Sequence, residues 1–261
     1  MGSMTWGRVA RGGWGLRPAL LAAVVVVLWG SGADAAVAVA DDFNDGNDTG
    51  WTRYSPLGGL GAAGEFSFPD GGYRIQAPPS PAPSLAGPAR AGSFREADSY
   101  SSFYTSIDVV DWDDTLDQSF GILSRVKEPG LGTTDGYAFT YSTDGPSIDL
   151  SLITNEDAVE TLATFPVRIL PTRDYRLVFE GDGTSLTGTL FDLEDLTTPL
   201  AVIQAVDDTY AQGFNGVFVF DNSASSALTA DATFDNYVAN VPEPGGAALL
   251  LALAFPWRRR A

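Results

Sequence analysis

The chain of 261 residues contains no cysteine and no histidine. The lack of cysteine excludes disulfide bonds, a thiol nucleophile and the lipid-modified cysteine of a lipoprotein. The lack of both residue types excludes the usual His/Cys zinc sites, the Ser-His-Asp triad and Cys-His catalysis. The fold must therefore be stabilised by the size of its apolar core.

Basic residues are also scarce, since the chain has 15 Lys and Arg against 33 Asp and Glu and a formal net charge of −18. Six of the basic residues are arginines near the two ends, so the segment between them is more acidic still. Such a surface repels phosphate, and we therefore expect no nucleic-acid partner. It attracts cations, although most of its carboxylates are expected to be ordinary solvated side chains.

The longest apolar runs lie near the two ends of the chain. Residues 1–40 have the three regions of a secretory signal peptide, with Arg8, Arg11 and Arg17 before the apolar run Ala19–Trp29 and small residues after it. The run has 11 residues, which as a helix reach only about 16 Å, too short to cross a bilayer. The segment therefore predicts export by the Sec machinery and removal by signal peptidase.

Cleavage of this leader is predicted after Ala40. There Ala38-Val39-Ala40 fits the small-x-small pattern of signal peptidase sites, and the acidic segment begins directly afterwards. The sequence leaves cleavage after Ala35 open as the alternative.

The other end of the chain combines a proline motif, the apolar run Ala247–Trp257 and a basic cluster. The motif consists of Val241, Pro242, Glu243 and Pro244, and the cluster of Arg258, Arg259 and Arg260. This order resembles the PEP-CTERM sorting signal of exopolysaccharide-producing Gram-negative bacteria. The resemblance implies that an exosortase, a membrane transpeptidase, recognises residues 241–261 while the apolar run is held transiently in the membrane with its arginines on the cytoplasmic side.

The tail departs from that pattern because its apolar run is short and contains Pro256. To span a bilayer it would need local thinning or snorkelling of its flanking residues. The alternative interpretation is an apolar terminal helix packed on the folded domain.

Residues 41–240 are predicted to fold as one domain of short strands. Turn-forming pairs such as Asp135-Gly136 recur about every 8–12 residues, and apolar and polar residues alternate between them, as in Phe103–Val109 and Tyr175–Phe179. A period of two is typical of half-buried antiparallel strands, so the pattern predicts an all-β antiparallel sandwich or jelly roll. Val217–Phe220 is apolar throughout and is expected in the middle of a sheet.

The proline-rich segment Ala77–Gly92 could connect two domains or form a long surface loop. We interpret it as a loop, because residues 64–76 before it are too few to bury a core of their own.

Four pieces of the body, taken in order, resemble concanavalin A-like lectin and glucanase domains. They are Asp41-Asp42-Phe43 with Gly50-Trp51, Tyr175-Arg176-Leu177 leading into Gly181-Asp182-Gly183-Thr184, Leu190-Phe191-Asp192, and Ala232-Thr233-Phe234-Asp235-Asn236. The similarity runs through most of the body. It implies a jelly-roll sandwich whose first and last strands meet in one sheet.

Two acidic groups are candidate binding sites. Trp112 is followed by Asp113 and Asp114, and an aromatic ring beside carboxylates suits sugar stacking or calcium, or a loop whose Trp closes the sandwich edge. Asp42 and Asp235 are a candidate Ca²⁺ site if the chain ends of the domain meet, although the residues after Asp41 do not fit an EF-hand loop.

No pattern in the chain predicts a catalytic site. Glycosidases of the superfamily that the body resembles carry closely spaced acids on one strand, and no E-x-D-x-x-E pattern is present. The nearest cluster, Asp192, Glu194 and Asp195, runs into Thr197-Thr198-Pro199 and is predicted to be a hairpin tip.

The sequence therefore predicts an exported, non-catalytic protein of the cell envelope or extracellular matrix, whose sandwich contacts extracellular polysaccharide. The first alternative is a secreted glycoside hydrolase or lyase, and the second is a purely structural matrix protein.

Intact-mass spectrometry of the protein recovered from the cell surface tests the two end segments. We expect a chain that has lost the leader and the apolar-arginine tail, because both belong to export and sorting. Surface material that still contains Arg258, Arg259 and Arg260 would contradict sorting at the tail.

Overall fold

The structure, a computed structural model, describes residues 39–156, 158–223 and 229–241. Of the predicted end segments, Val39, Ala40 and Val241 are described; residues 1–38, which include Ala38, and residues 242–261 lie outside the described residues. The described part of the chain contains no helix of the length and apolarity that a membrane crossing needs.

The described residues form an all-β sandwich of two antiparallel sheets, as predicted. Strands of the first sheet are β1 (Val39–Asp41), β3 (Glu65–Ser67), β4 (Tyr73–Ala77), β6 (Phe103–Trp112), β11 (Tyr175–Asp182), β12 (Ser185–Asp192), β13 (Ala201–Val206) and β15 (Ala230–Asn240). Strands of the second sheet are β2 (Thr52–Tyr54), β5 (Arg90–Phe94), β7 (Gln118–Lys127), β8 (Asp135–Ser142), β9 (Ser147–Thr154), β10 (Ala158–Pro166) and β14 (Phe214–Asp221). The remaining elements are two single 3₁₀ turns, Gly58–Leu60 and Pro69–Gly71, and the short helix α1 (Pro83–Ala86).

The first sheet runs in the order β13-β12-β11-β6-β15-β4-β3, and β1 also pairs with β15. Asp41 lies opposite Tyr237 in that pairing. The expectation that the first and last strands meet in one sheet is therefore confirmed. The second sheet runs in the order β10-β9-β8-β7-β14-β5-β2.

Alternation along the central strands builds the core, because every second side chain points between the sheets. Ile107 in β6 and Leu177 and Phe179 in β11 are buried in one apolar cluster. Val217 and Val219 of β14 join the same cluster, and β14 lies between β7 and β5, so its predicted central position is confirmed.

The face of β14 that points away from the main core is also apolar, because it packs in a second cluster. Phe218 is partly exposed and packs against a second, smaller cluster on the outer side of the second sheet. This cluster contains the buried rings of Tyr54 and Phe94.

The proline-rich segment connects the two sheets of the sandwich. It leaves β4 at Ala77, contains α1 and enters β5 at Arg90. The connection is shorter than predicted, because Arg90–Phe94 pairs with β14 as a strand.

The first piece that resembles lectin domains, Asp41-Asp42-Phe43 with Gly50-Trp51, holds β1 in place. The Trp51 indole nitrogen donates a hydrogen bond to Asp41 Oδ2 at 2.8 Å. The Trp51 ring lies 4.7 Å from Tyr237, and Phe43 stacks on Tyr73 at 4.8 Å. The motif therefore has a packing role at the point where the chain enters the sandwich.

The position of β1 also bears on the predicted leader cleavage. Val39 pairs with Ala239 and packs against the core, so the paired strand begins before the predicted cut after Ala40. The alternative cut after Ala35 would leave the whole strand in the mature protein.

A buried ion pair links the central strands of the first sheet. Asp108 is 1% exposed, and both of its oxygens accept hydrogen bonds from Arg176, at 2.6 and 2.9 Å. Asn236 donates a further bond to Asp108 at 3.0 Å. Burial raises the pKa of Asp108, while the guanidinium of Arg176 acts in the opposite direction.

We expect Arg176→Met to lower the free energy of unfolding by about 3–5 kcal/mol, because it leaves the Asp108 carboxylate buried without its cation. Chemical denaturation measures this loss. The matched control is Arg53→Met, which removes the more exposed pair with Asp48 and is expected to cost less than about 1 kcal/mol. Equal small losses in both variants would contradict the assignment.

Candidate functional site

A pocket of about 330 Å³ lies at one end of the first sheet. Its lining residues are Arg74, Asp111, Trp112, Asp113, Asp114, Pro171 and Asp231. The three residues that the sequence singled out, Trp112, Asp113 and Asp114, therefore lie together at one pocket.

Strand pairing brings the rest of the lining to these three residues. β15 lies between β4 and β6, with Thr233 opposite Arg74 on one side and opposite Asp111 on the other. Asp231 precedes Thr233 by two positions and so lies on the same face of β15. Pro171 belongs to the connection between β10 and β11.

The electrostatics of the pocket are dominated by four aspartates and one arginine. Arg74 Nε donates to Asp231 Oδ1 at 2.9 Å, Nη2 binds Oδ2, and Gln76 donates to Oδ2 at 3.2 Å. The hydrogen bond to Asp231 raises the pKa of Arg74, and the nearby charge of Asp111 adds to this effect. Because the arginine is already paired, the pocket presents a net negative surface.

Two of the aspartates lie in the turn after β6. Asp113 Oδ1 accepts hydrogen bonds from the backbone and hydroxyl of Thr115, at 2.9 and 2.6 Å, and these bonds lower the pKa of Asp113. Asp114 lies 4.0 Å from Arg168 in an exposed pair. Both side chains are exposed to solvent and able to accept hydrogen bonds from a ligand.

Trp112 does not present the exposed ring that sugar stacking needs. Its side chain is 5% exposed, and its ring packs 5.6 Å from Phe120 and 5.9 Å from Tyr175. Of the two interpretations that the sequence allowed, the structure favours a Trp that closes the edge of the sandwich. Any ligand of this pocket is therefore held mainly by polar groups.

Sequence reasoning missed Arg74, Pro171 and Asp231, since they lie far from Trp112 in the chain. Their approach depends on which strands neighbour β15, and a local pattern carries no information about that choice.

The second predicted site, for calcium at Asp42 and Asp235, stays a prediction. Asp42 Oδ1 accepts a bond from the backbone of Asn44 at 3.2 Å, and Asp235 Oδ1 accepts one from Asn236 at 2.7 Å. No group of three or more acidic side chains suited to a metal ion occurs within residues 39–156, 158–223 and 229–241.

The cluster at Asp192 is confirmed as the tip of a hairpin. Asp192 ends β12, its backbone carbonyl accepts a bond from Asp195 at 2.9 Å, and its carboxylate accepts one from the backbone of Glu194. β13 then begins at Ala201 and pairs back onto β12.

A buried glutamine of β7, Gln118, is hydrogen-bonded to two of the residues that line the pocket. Gln118 is 0% exposed; its amide nitrogen donates to the carbonyl of Asp113 at 2.9 Å, and its amide oxygen accepts from the backbone of Asp231 at 2.6 Å. One side chain of β7, in the second sheet, thus joins the turn after β6 to strand β15 of the first sheet.

We expect Gln118→Met to loosen the turn that carries Asp113 and Asp114. The substitution removes the side-chain acceptor of the Asp231 N–H and the side-chain donor to the Asp113 carbonyl. Hydrogen–deuterium exchange should show faster exchange of residues 113–117. Gln204→Met is the control, since the Gln204 amide contacts only Thr187 on an exposed strand. Unchanged exchange at residues 113–117 in Gln118→Met would contradict the role.

Comparison with known proteins finds similarity in structure only. No protein-family model and no curated protein sequence matches the chain. A carbohydrate-binding module of the CBM66 type from Bacillus subtilis matches with a TM-score of 0.54 and 20% identity over 74% of this chain and 97% of that chain. Lectin II from Ulex europaeus matches with a TM-score of 0.51 and 12% identity over 79% of this chain and 98% of that chain. A basic winged bean lectin bound to Tn-antigen matches with a TM-score of 0.51 and 12% identity over 80% of this chain and 100% of that chain. The chain therefore has the jelly-roll sandwich fold seen in carbohydrate-binding modules and lectins.

Proposed function

We propose that this protein binds polysaccharide without turning it over and that the pocket lined by Asp113 and Asp114 holds the sugar. The observation that carries the proposal is an open polar pocket on a fold shared with carbohydrate-binding modules and lectins. Its volume of about 330 Å³ is at the lower end of the range of small-molecule sites, about 300–1,000 Å³.

The charge of the pocket points to the class of sugar. Exposed carboxylates of Asp111, Asp113 and Asp114 accept hydrogen bonds from sugar hydroxyls, and bonds to a charged acceptor are stronger than those between neutral groups. The same carboxylates repel uronic acids and sulfated sugars. The expected ligand is therefore a neutral polysaccharide.

Asp113 differs from the acid residue of a glycosidase. A glycosidase needs one carboxyl group with a raised pKa as its general acid. The pKa of Asp113 is instead lowered by its bonds to Thr115. A secreted glycoside hydrolase or lyase remains the first alternative, and a structural protein without a ligand the second.

The cellular setting belongs to the same proposal and rests on the two end segments. The leader of residues 1–40 supports export through the Sec machinery and signal peptidase. The Pro-Glu-Pro motif, apolar run and final arginines support processing by an exosortase at the cell envelope of a Gram-negative bacterium. The mature sandwich would then meet polysaccharide at the outer surface or in the extracellular matrix.

Asp113→Asn combined with Asp114→Asn is expected to weaken binding of a neutral polysaccharide at least about tenfold, because two charge-assisted acceptors become weaker ones. Affinity electrophoresis or calorimetry with dextran and other neutral glucans, fructans and galactans measures the loss, and polygalacturonate serves as the acidic comparison. Asp208→Asn, at an exposed aspartate away from the pocket, is the control.

Release of reducing sugar from any of these polymers would favour the hydrolase alternative. Absence of saturable binding across the panel would favour the structural alternative. Binding that survives in the double variant would move the sugar site elsewhere on the sandwich.

A further inference from the structure

Asp221 is a buried acid without a cationic partner. It is the last residue of β14 and is 0% exposed. Its Oδ1 accepts bonds from the backbone and hydroxyl of Ser223, whereas Oδ2 is buried and has no hydrogen-bond partner. Within the part of the chain that the structure describes, no lysine or arginine forms an ion pair with it.

A second acid nearby, Asp117, also has a buried carboxylate oxygen without a hydrogen-bond partner. Asp117 lies directly before β7, and the unpaired atom is its Oδ1. Burial raises the pKa of Asp117, and the negative charges of Asp144 and Asp221 raise it further. Asp144 and Asp221 therefore both lie within electrostatic reach of Asp117.

The fold builds this corner from three strand ends of the second sheet. Asp221 lies opposite Gln118 where β14 pairs with β7, and the backbone of Asn222 donates to the carbonyl of Asp117 at 3.0 Å. Asp144 lies in the turn that joins β8, the other neighbour of β7, to β9. Main-chain bonds therefore hold Asp117 and Asp221 together although residues 118–220 separate them in the chain.

A buried carboxylate that has no basic partner is stabilised by a bound cation. The unpaired oxygens are Oδ1 of Asp117 and Oδ2 of Asp221. A cation that contacts both oxygens satisfies them together and reduces the repulsion between the two acids. The unpaired oxygens therefore indicate a metal ion.

We propose that Asp117 and Asp221 bind a Ca²⁺ ion at this corner of the second sheet. Oxygen ligands select hard cations, and Ca²⁺ accepts six to eight oxygens in irregular geometry, including backbone carbonyls, amide oxygens and water. Since no group of three acidic side chains among the described residues is arranged for a metal, the other ligands are neutral oxygens from the loops and solvent. This site is distinct from the pair Asp42 and Asp235 and from the sugar pocket.

Calorimetric titration of the chelator-treated protein with CaCl₂, in the absence of any glycan, tests the site. We expect saturable binding and a rise in Tm on adding Ca²⁺, because a ligand that binds only the folded state stabilises it. Asp221→Asn and Asp117→Asn, each tested alone, should lower the affinity at least about tenfold. Asp208→Asn, at an exposed aspartate outside both candidate Ca²⁺ sites, is the matched control and should bind Ca²⁺ as the unchanged protein does.

The use of two variants keeps the test decisive if Asp221→Asn fails to fold, because Asp117 is partly exposed and tolerates an amide more readily. If the unchanged protein shows no Ca²⁺ binding and no change in Tm, the proposal is wrong. Calcium binding that disappears in Asp42→Asn but persists in Asp117→Asn and Asp221→Asn would overturn it in favour of the site predicted from the sequence. Because no sugar is present, these outcomes are independent of polysaccharide binding.

Discussion

The pairing of β15 with three other strands is the constraint on which the rest of the molecule depends. It joins β1 at the start of the domain, β4 from the early part of the chain and β6 from the middle into one sheet. Because three distant segments of the chain pair with this strand, it closes the core and also places Arg74, Asp111 and Asp231 at one pocket. Loss of β15 would remove the site together with the fold.

A shortage of basic side chains shapes the electrostatics of the protein. The most deeply buried ion pairs use arginine, as in Asp108 with Arg176 and in Glu156 with Arg90, where the Arg90 Nε–Glu156 Oε1 distance is 2.6 Å. Acids outnumber these partners, and several acids lie together at the pocket and at the corner formed by Asp117 and Asp221. Both places are therefore suited to ligands that bring hydroxyl donors or positive charge.

Much of the architecture was predictable from alternation along the chain. Phe103–Val109 and Tyr175–Phe179 became central strands with the expected inward residues, and the turn residues after Asp192 formed a hairpin tip. The pairing of the first and last strands was predictable only from the resemblance to lectin domains. Whether the Trp112 ring would be exposed or buried was not predictable, because a tryptophan suits a solvent-facing platform as well as the closed edge of a sandwich.

Within the sandwich, the sequence by itself determined the all-β class, the antiparallel strand pattern and the strong acidity. These properties are local or compositional, since a period of two and a charge balance can be read without knowing any long-range contact. Only the tertiary structure decided that Arg74 and Asp231 join Asp113 and that Asp117 meets Asp221. Those neighbours follow from strand order and register, which are set by packing between the sheets and by contacts across more than a hundred residues of chain.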